Sequence, residues 1–176
     1  MTDTAWIITE LQQRHRTFAT TVCALAPDRM EHSRNGKWSP AQHLAHILKS
    51  VRPVALVLLV PRWFLRWRFG RINRPARGYP ELVERYRTKL AAGGKASGRY
   101  APPPIAAATV PGIAAGVERT VARLCHRLRG WSDVELDTVL LPHPLLGKVT
   151  VREMLYFTMH HVVHHQALVE AEGPGA

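Results

Sequence analysis

The chain has few cysteines and no long apolar segment. Two cysteines, Cys23 and Cys125, occur in 176 residues, which argues against a disulfide framework and predicts buried free thiols in a reducing cytoplasm. The most apolar run, 54–60, is too short for a membrane span, which needs roughly 20 residues. No signal peptide is expected at the N-terminus. We therefore expect a cytoplasmic protein without a transmembrane segment.

Acidic residues are absent from one long stretch. Between His32 and Pro80 the chain has ten Lys or Arg residues and no Asp or Glu, whereas the rest is close to neutral and the net charge is +11. Such a surface attracts nucleic acid, anionic lipid or an acidic partner, or it only keeps the protein in solution. No helix-turn-helix or other groove-reading motif is present, so sequence-specific nucleic-acid binding is not expected.

Tryptophan and arginine are interleaved directly after the apolar run, in residues 61–67. One interpretation of this pattern is a segment that rests on a membrane surface. We favour the alternative, a buried helix end whose arginines extend to solvent. On this interpretation Trp63 and Trp67, with residues 54–60, pack under the connection that follows or in a homodimer interface.

Strand alternation is also absent, and helical periodicity accounts for most of the chain. The spacing predicts four long helices, over about 3–25, 39–60, 111–128 and 150–172. Capping boxes begin two of them, Ser39 with Gln42 and Thr150 with Glu153. A shorter helix over about 80–92 interrupts the connection between helices 2 and 3. The prediction is one domain, residues 1–176, folded as an all-α four-helix bundle with a long crossover between helices 2 and 3.

Histidines are concentrated on two of these helices. Six of the ten form two groups: His43 and His46 on helix 2, and His160, His161, His164 and His165 on helix 4. Two histidines four residues apart lie on one helix face, and imidazole is a common metal ligand. The pattern favours a metal site between two helices over histidines that are hydrogen-bonded within an ordinary core. On helix 2, periodicity does not choose between His43 and His46.

On helix 4 the apolar periodicity does choose. His161 and His165 lie on the stripe that carries most of the large apolar side chains, whereas His160 and His164 lie on a stripe flanked by acidic residues. Two inward histidines without partners would cost roughly 1–3 kcal/mol each, and one shared metal ion satisfies both. We therefore predict His161 and His165 as ligands, and His160 and His164 as groups that support the ligands or lie at the rim.

Two segments carry a family resemblance. Residues 36–39, Gly-Lys-Trp-Ser, precede Leu44-Ala45-His46, and residues 143–155 precede the run from His161 to His165. Together they resemble the DinB-like family, which includes bacillithiol and mycothiol transferases. The resemblance covers nearly the whole chain and implies a DinB-type bundle with His46, His161 and His165 on one divalent metal, often zinc or nickel. Many relatives have an acidic residue near the helix-2 histidine, where this chain has Gln42.

Three imidazoles leave a divalent ion with open positions, which is the layout of a catalytic site. A thiol bound there is held as thiolate. We expect a metal-dependent enzyme that transfers a low-molecular-weight thiol to an electrophile. A metal-dependent hydrolase and a non-catalytic module that binds through the basic face are the alternatives. His43, His160 and His164 are the candidates for a catalytic base.

The arginines that follow helix 2 are candidates for substrate binding. Because Arg62, Arg66 and Arg68 come soon after the helix with His46, they are predicted to border the site and attract a small anionic substrate. The alternative is that they coat the surface or pair with acids such as Glu81 and Glu84.

Overall fold

The computed structural model describes residues 4–33, 36–94 and 98–171. Its helices in chain order are α1 (Thr4–Cys23), α2 (Pro27–Glu31), α3 (Pro40–Val57), α4 (Arg62–Phe69), α5 (Tyr79–Ala91), α6 (Val110–Leu128), α7 (Asp133–Thr138) and α8 (Val151–Ala171). The helix ends predicted at Asp3 and Glu172, and Arg34 of the basic stretch, lie outside the described residues.

The four long helices form the bundle that the sequence predicts. Helices α1 and α3 both pack against α6, and both also pack against α8. Their buried side chains follow helical spacing, as Val117, Val121, Leu124 and Leu128 do on α6. The all-α four-helix bundle with a long crossover between its second and third long helices is confirmed.

Both predicted capping boxes are present. The Ser39 hydroxyl accepts from the Gln42 N–H at 3.3 Å, and the Gln42 side chain accepts from the Ser39 N–H at 3.0 Å. At the start of α8, the Thr150 hydroxyl accepts from the Glu153 N–H at 3.1 Å, and the Glu153 carboxylate accepts from the Thr150 N–H at 3.0 Å. These pairs fix where the two histidine-bearing helices begin.

A short β-hairpin contradicts the expectation that the chain has no strands. Strands β1 (Leu140–His143) and β2 (Gly147–Thr150) pair antiparallel, with Leu140 opposite Thr150 and His143 opposite Gly147. Four-residue strands are too short to show a clear alternation in sequence. Gly147 takes a left-handed φ of 74° beside the turn, where a side chain is unfavourable. The hairpin leads directly into α8.

The crossover is attached to α8 through a buried carboxylate. Glu153 has no solvent exposure. Its two oxygens accept from Arg74 at 2.6 and 2.7 Å, and one of them also accepts from the Arg77 N–H at 2.8 Å. The guanidinium of Arg77 also lies 3.6 Å from this carboxylate, so two cations of the acid-free stretch pair with an acid inside the fold.

The apolar run and the tryptophans are only partly buried. Leu58 is buried, but Leu56 and Leu59 are 60% and 59% exposed, and Trp63 and Trp67 are 70% and 74% exposed. The expectation that both tryptophans pack under the crossover is wrong, because α4 turns Leu65 inward and the tryptophans outward. A role in a homodimer stays a prediction.

Two further observations concern the thiols and the apolar helices. Cys125 is buried and free as predicted, and burial raises its pKa to about 11. Cys23 is free but exposed, which corrects the expectation that it is buried. Among the described helices, none alone has the length and apolar content to cross a membrane. Helices α3 and α4 have that length and apolar content only when taken together, and a bend of 108° separates them.

Candidate metal centre

Three histidines from two helices converge in the interior of the bundle. His46 is on α3, and His161 and His165 are one turn apart on α8. The Nε2 atom of His161 lies 3.2 Å from Nε2 of His46 and 3.0 Å from Nε2 of His165. All three side chains are buried. The structure thus brings together His161 and His165, which periodicity and the resemblance single out, with His46, which the resemblance singles out.

The separations of the nitrogens fit ligands of a single ion. Zinc–imidazole bonds are about 2.0–2.1 Å long, so two nitrogens on one tetrahedral or octahedral ion lie about 2.9–3.4 Å apart. The two measured distances fall within this range, and the ligand atoms of all three histidines lie within 4.8 Å of one another. The cluster is therefore compatible with one divalent metal.

The far nitrogen of His46 is held by the crossover. Its Nδ1 lies 2.9 Å from the backbone carbonyl oxygen of Tyr100. A carbonyl only accepts, so the proton of the neutral ring is on Nδ1 and the lone pair is on Nε2, toward the cluster. The long connection between α3 and α6 thus fixes the tautomer of the first predicted ligand.

The far nitrogen of His165 is hydrogen-bonded to His43. The two Nδ1 atoms are 2.8 Å apart, so one ring donates and the other accepts. If Nε2 of His165 carries the lone pair toward the cluster, its Nδ1–H donates to His43. Periodicity left His43 and His46 undecided, and the structure uses both: His46 enters the cluster and His43 supports a member of it.

The environment keeps the three imidazoles neutral. Burial, followed by the neighbouring imidazoles, lowers the pKa of His161 and His165 well below the ordinary 6.5, and burial also lowers the pKa of His46. The neutral ring is the form that binds metal. Among the described residues no carboxylate contacts these rings. The buried carboxylate of Glu153 accepts hydrogen bonds from Arg74 instead.

Aromatic side chains pack around the cluster. Trp38 stacks on His165 with ring centroids 6.2 Å apart, and Phe157 stacks on His161 at 4.8 Å. Beside His161 is a small cavity of about 10 Å³, into which the polar side chains of His15 and Ser50 also face. This volume is at the lower limit for holding one water molecule.

The other two candidate bases lie on a neighbouring face of α8. His160 and His164 both contact the ring of Tyr86 on α5, at 5.8 and 5.9 Å between centroids. His160 is buried, and burial lowers its pKa to about 4, whereas His164 is half-buried. His164 also contacts the ring of His165, at 5.2 Å. A catalytic role for His43, His160 or His164 stays a prediction.

The structure places the three candidate arginines at the other end of α3. Arg62 stacks on Trp131 with its guanidinium 4.6 Å from the ring, and it pairs with Glu135 at 2.8 Å. About 16 Å of helix separates His46 from Val57, the last residue of α3, and α4 begins beyond it. For Arg62, Arg66 and Arg68, contact with an anionic substrate stays a prediction.

Two buried histidines were not predicted to be functional. His15 on α1 lies 2.7 Å through Nδ1 from the Leu11 carbonyl, and its spacing from Leu11 and Phe18 is the core-facing signal that identifies it. His143 lies within the segment that carries the family resemblance. Its Nδ1 accepts from the N–H groups of Leu145 and Leu146 at 3.1 and 3.0 Å and holds the hairpin turn.

Comparison with known proteins identifies a family. A family model described as the DinB superfamily matches residues 10–169. No curated protein and no solved structure matches the chain. The match covers most of the chain and includes the three converging histidines.

Proposed function

The chain belongs to the DinB superfamily, and from this premise we propose that it is a metal-dependent enzyme that transfers a low-molecular-weight thiol to an electrophile. The observation that carries the proposal is the convergence of three buried, neutral imidazole nitrogens from α3 and α8.

His46, His161 and His165 hold the metal in this proposal. Zinc and nickel both suit a site of imidazole nitrogens. When bound, the divalent ion supplies the positive charge that keeps a thiol in its thiolate form at neutral pH. The remaining tasks fall to the protein: Tyr100 and His43 orient two of the ligands, and Trp38 and Phe157 pack against the rings of His165 and His161.

The polar surroundings favour thiol transfer over hydrolysis. A hydrolase needs a general base close to the attacking water, and the described carboxylates do not contact the cluster. A thiol needs no separate base once the metal has lowered its pKa. His164 is half-buried beside His165, and we propose that it carries the proton that the thiol loses. With an epoxide or an activated alkene this proton passes to the product, whereas with a haloarene the halide leaves and the proton goes to solvent. If His164 instead acts on water, hydrolysis is the alternative reaction.

The first test measures metal content. Protein purified without added chelator should contain close to one divalent ion per chain, and His46→Ala, His161→Ala and His165→Ala should each lower this sharply. His126→Ala, at an exposed histidine of α6, is the matched control. A triple variant that keeps stoichiometric metal would place the site elsewhere.

The second test measures the reaction. The metal-loaded protein should consume an electrophile such as a haloarene only when a low-molecular-weight thiol is present, and chelation should abolish this turnover. Ester or amide cleavage without thiol, lost on chelation, would instead support the hydrolase. Turnover that survives both chelation and the His161→Ala substitution would contradict both enzymatic readings.

A further inference from the structure

The exposed apolar side chains of the described residues are concentrated in one segment of the chain. Eight large hydrophobic residues are exposed, and five of them fall within twelve residues of sequence. These five are Leu56, Leu59, Trp63, Phe64 and Trp67. We call them the α4 ridge. Isolated exposed apolar residues are ordinary, whereas a concentration of this kind marks an interaction surface.

The ridge is a fixed surface. The ring of Phe64 contacts Trp63 at 5.9 Å and Trp67 at 5.5 Å between centroids, so the three aromatic rings are continuous. On the opposite side of α4, Leu65 is buried and Arg62 is held against Trp131 and Glu135. The fold therefore anchors the inner face of α4 and presents the aromatic face to solvent.

A basic groove adjoins this ridge. Between α3 and α6 lies a groove of about 340 Å³ that is lined by Arg52, Ala55, Leu56, Gly116, Arg119, Thr120, Arg123 and Arg127. Leu56 belongs to both the groove and the ridge. The lining has four arginines and no carboxylate. Arg68 and Arg71, at the end of α4 and just after it, are also exposed.

Apolar rings with a basic border match the chemistry of one kind of partner. Tryptophan prefers the boundary between lipid headgroups and acyl chains, and amphipathic helices with aromatic and basic faces lie in that boundary. Arginine binds phosphate oxygens through paired hydrogen bonds. We propose that the α4 ridge and the arginine groove dock this protein on the surface of an anionic phospholipid bilayer.

Two other partners fit the same surface less well. A second copy of the chain would bring two arginine-rich borders together, which is repulsive. Single-stranded nucleic acid would stack its bases on the aromatic rings, but it would gain little from Leu56 and Leu59, which are aliphatic and about 60% exposed. A bilayer uses the aliphatic, aromatic and cationic groups together.

The test is flotation of the full chain with vesicles of phosphatidylcholine, with and without phosphatidylglycerol. We expect binding only to the vesicles with phosphatidylglycerol, and we expect added salt to weaken it. Each arginine near an anionic surface contributes about fivefold in affinity, so Arg52→Gln with Arg119→Gln should weaken binding by roughly 25-fold. The matched control is Arg16→Gln, at an exposed arginine of α1.

The apolar contribution is tested separately. Trp63→Ala with Trp67→Ala should weaken vesicle binding by roughly tenfold or more, because the buried apolar area sets the strength of such docking. Leu168→Ala, a partly exposed leucine on α8, is the control. Brominated lipid should quench the tryptophan fluorescence of the unmodified chain, and Trp63→Phe with Trp67→Phe should remove most of that quenching.

Three results would overturn the proposal. The first is equal flotation with neutral and anionic vesicles, or no flotation at all. The second is self-association in the absence of lipid that Trp63→Ala with Trp67→Ala abolishes, which would make a second copy the partner. The third is displacement of the protein from vesicles by an oligothymidylate that binds it more tightly.

Discussion

His143 makes the stability of this protein sensitive to mild acid. The ring is buried, and its Nδ1 accepts from two backbone N–H groups, of Leu145 and Leu146. A proton on Nδ1 would face two donors and lose both hydrogen bonds. Burial lowers the pKa of His143 to about 4, so the folded chain keeps this ring neutral under conditions in which an unfolded chain protonates it.

The size of the effect follows from proton linkage. An unfolded histidine has a pKa near 6.5, so at about pH 5 the unfolded chain holds almost one proton more than the folded chain at this position. Since the unfolded state takes up the proton first, the free energy of unfolding falls as the pH drops below about 6.5. Between about pH 7.5 and 5, His143 alone should remove about 2 kcal/mol of stability.

One substitution distinguishes the effect of protonating His143 from the effect of losing its hydrogen bonds. In His143→Asn, the side-chain carbonyl oxygen accepts from backbone N–H groups two and three residues later, as Asn does in Asx-turns, and it does not titrate. Urea unfolding of the metal-free protein should therefore give similar stability for the two proteins at about pH 7.5, and about 2 kcal/mol in favour of His143→Asn at about pH 5. His126→Asn, at an exposed histidine, should follow the unmodified chain.

A parallel pH dependence of the two proteins would contradict this reasoning. If the unmodified chain and His143→Asn lose stability in parallel as the pH falls, His143 is not kept neutral by the fold. His143→Ala gives an independent measure of the hydrogen bonds, because it leaves two N–H groups without their acceptor. It should cost about 2 kcal/mol at neutral pH.

Two other substitutions test the supports of the bundle and of the cluster. Burial acts to raise the pKa of Glu153, but Arg74 and two backbone N–H groups lower it; Glu153→Gln should therefore cost about 3 kcal/mol in urea unfolding at neutral pH. The loss should shrink below about pH 4.5, where Glu153 of the unfolded chain takes up a proton that the folded chain does not yet bind. Glu84→Gln on the exposed surface of α5 is the control. His43→Ala removes the partner of His165 and should lower metal affinity about 10–100-fold in a chelator competition, whereas exposed His32→Ala should not; equal affinities would remove His43 from the support of the site.

The sequence predicts the long helices and their starts because those signals are local. The Ser39–Gln42 and Thr150–Glu153 capping boxes need only residues three positions apart, and both form. The choice of His161 and His165 over their neighbours rests on the periodicity of α8, which is equally local. A helix face is set within two turns, so these predictions do not depend on the rest of the fold.

The remaining features depend on contacts that are distant in sequence. The Tyr100 carbonyl meets His46 across 54 residues, and His43 meets His165 across 122. Neither pair leaves a pattern in a single sequence. The prediction that Trp63 and Trp67 are buried fails for a related reason. Apolar content predicts burial only if another element covers the helix face, and within the described structure none covers this face of α4.

The groups that hydrogen-bond to the three histidines influence which ligand a bound metal would prefer. The orienting partners, the Tyr100 carbonyl and His43, are neutral, and no described carboxylate contacts the three rings. A divalent ion held there keeps its full charge in a buried environment, where uncompensated charge is costly. An anionic ligand such as a thiolate offsets that cost, whereas a neutral ligand does not. The residue types around the histidines therefore favour an anionic ligand, a thiolate or a hydroxide, over a neutral one. They also predict that a carboxylate introduced beside the cluster would weaken the binding of anionic ligands even where it tightens the binding of the metal.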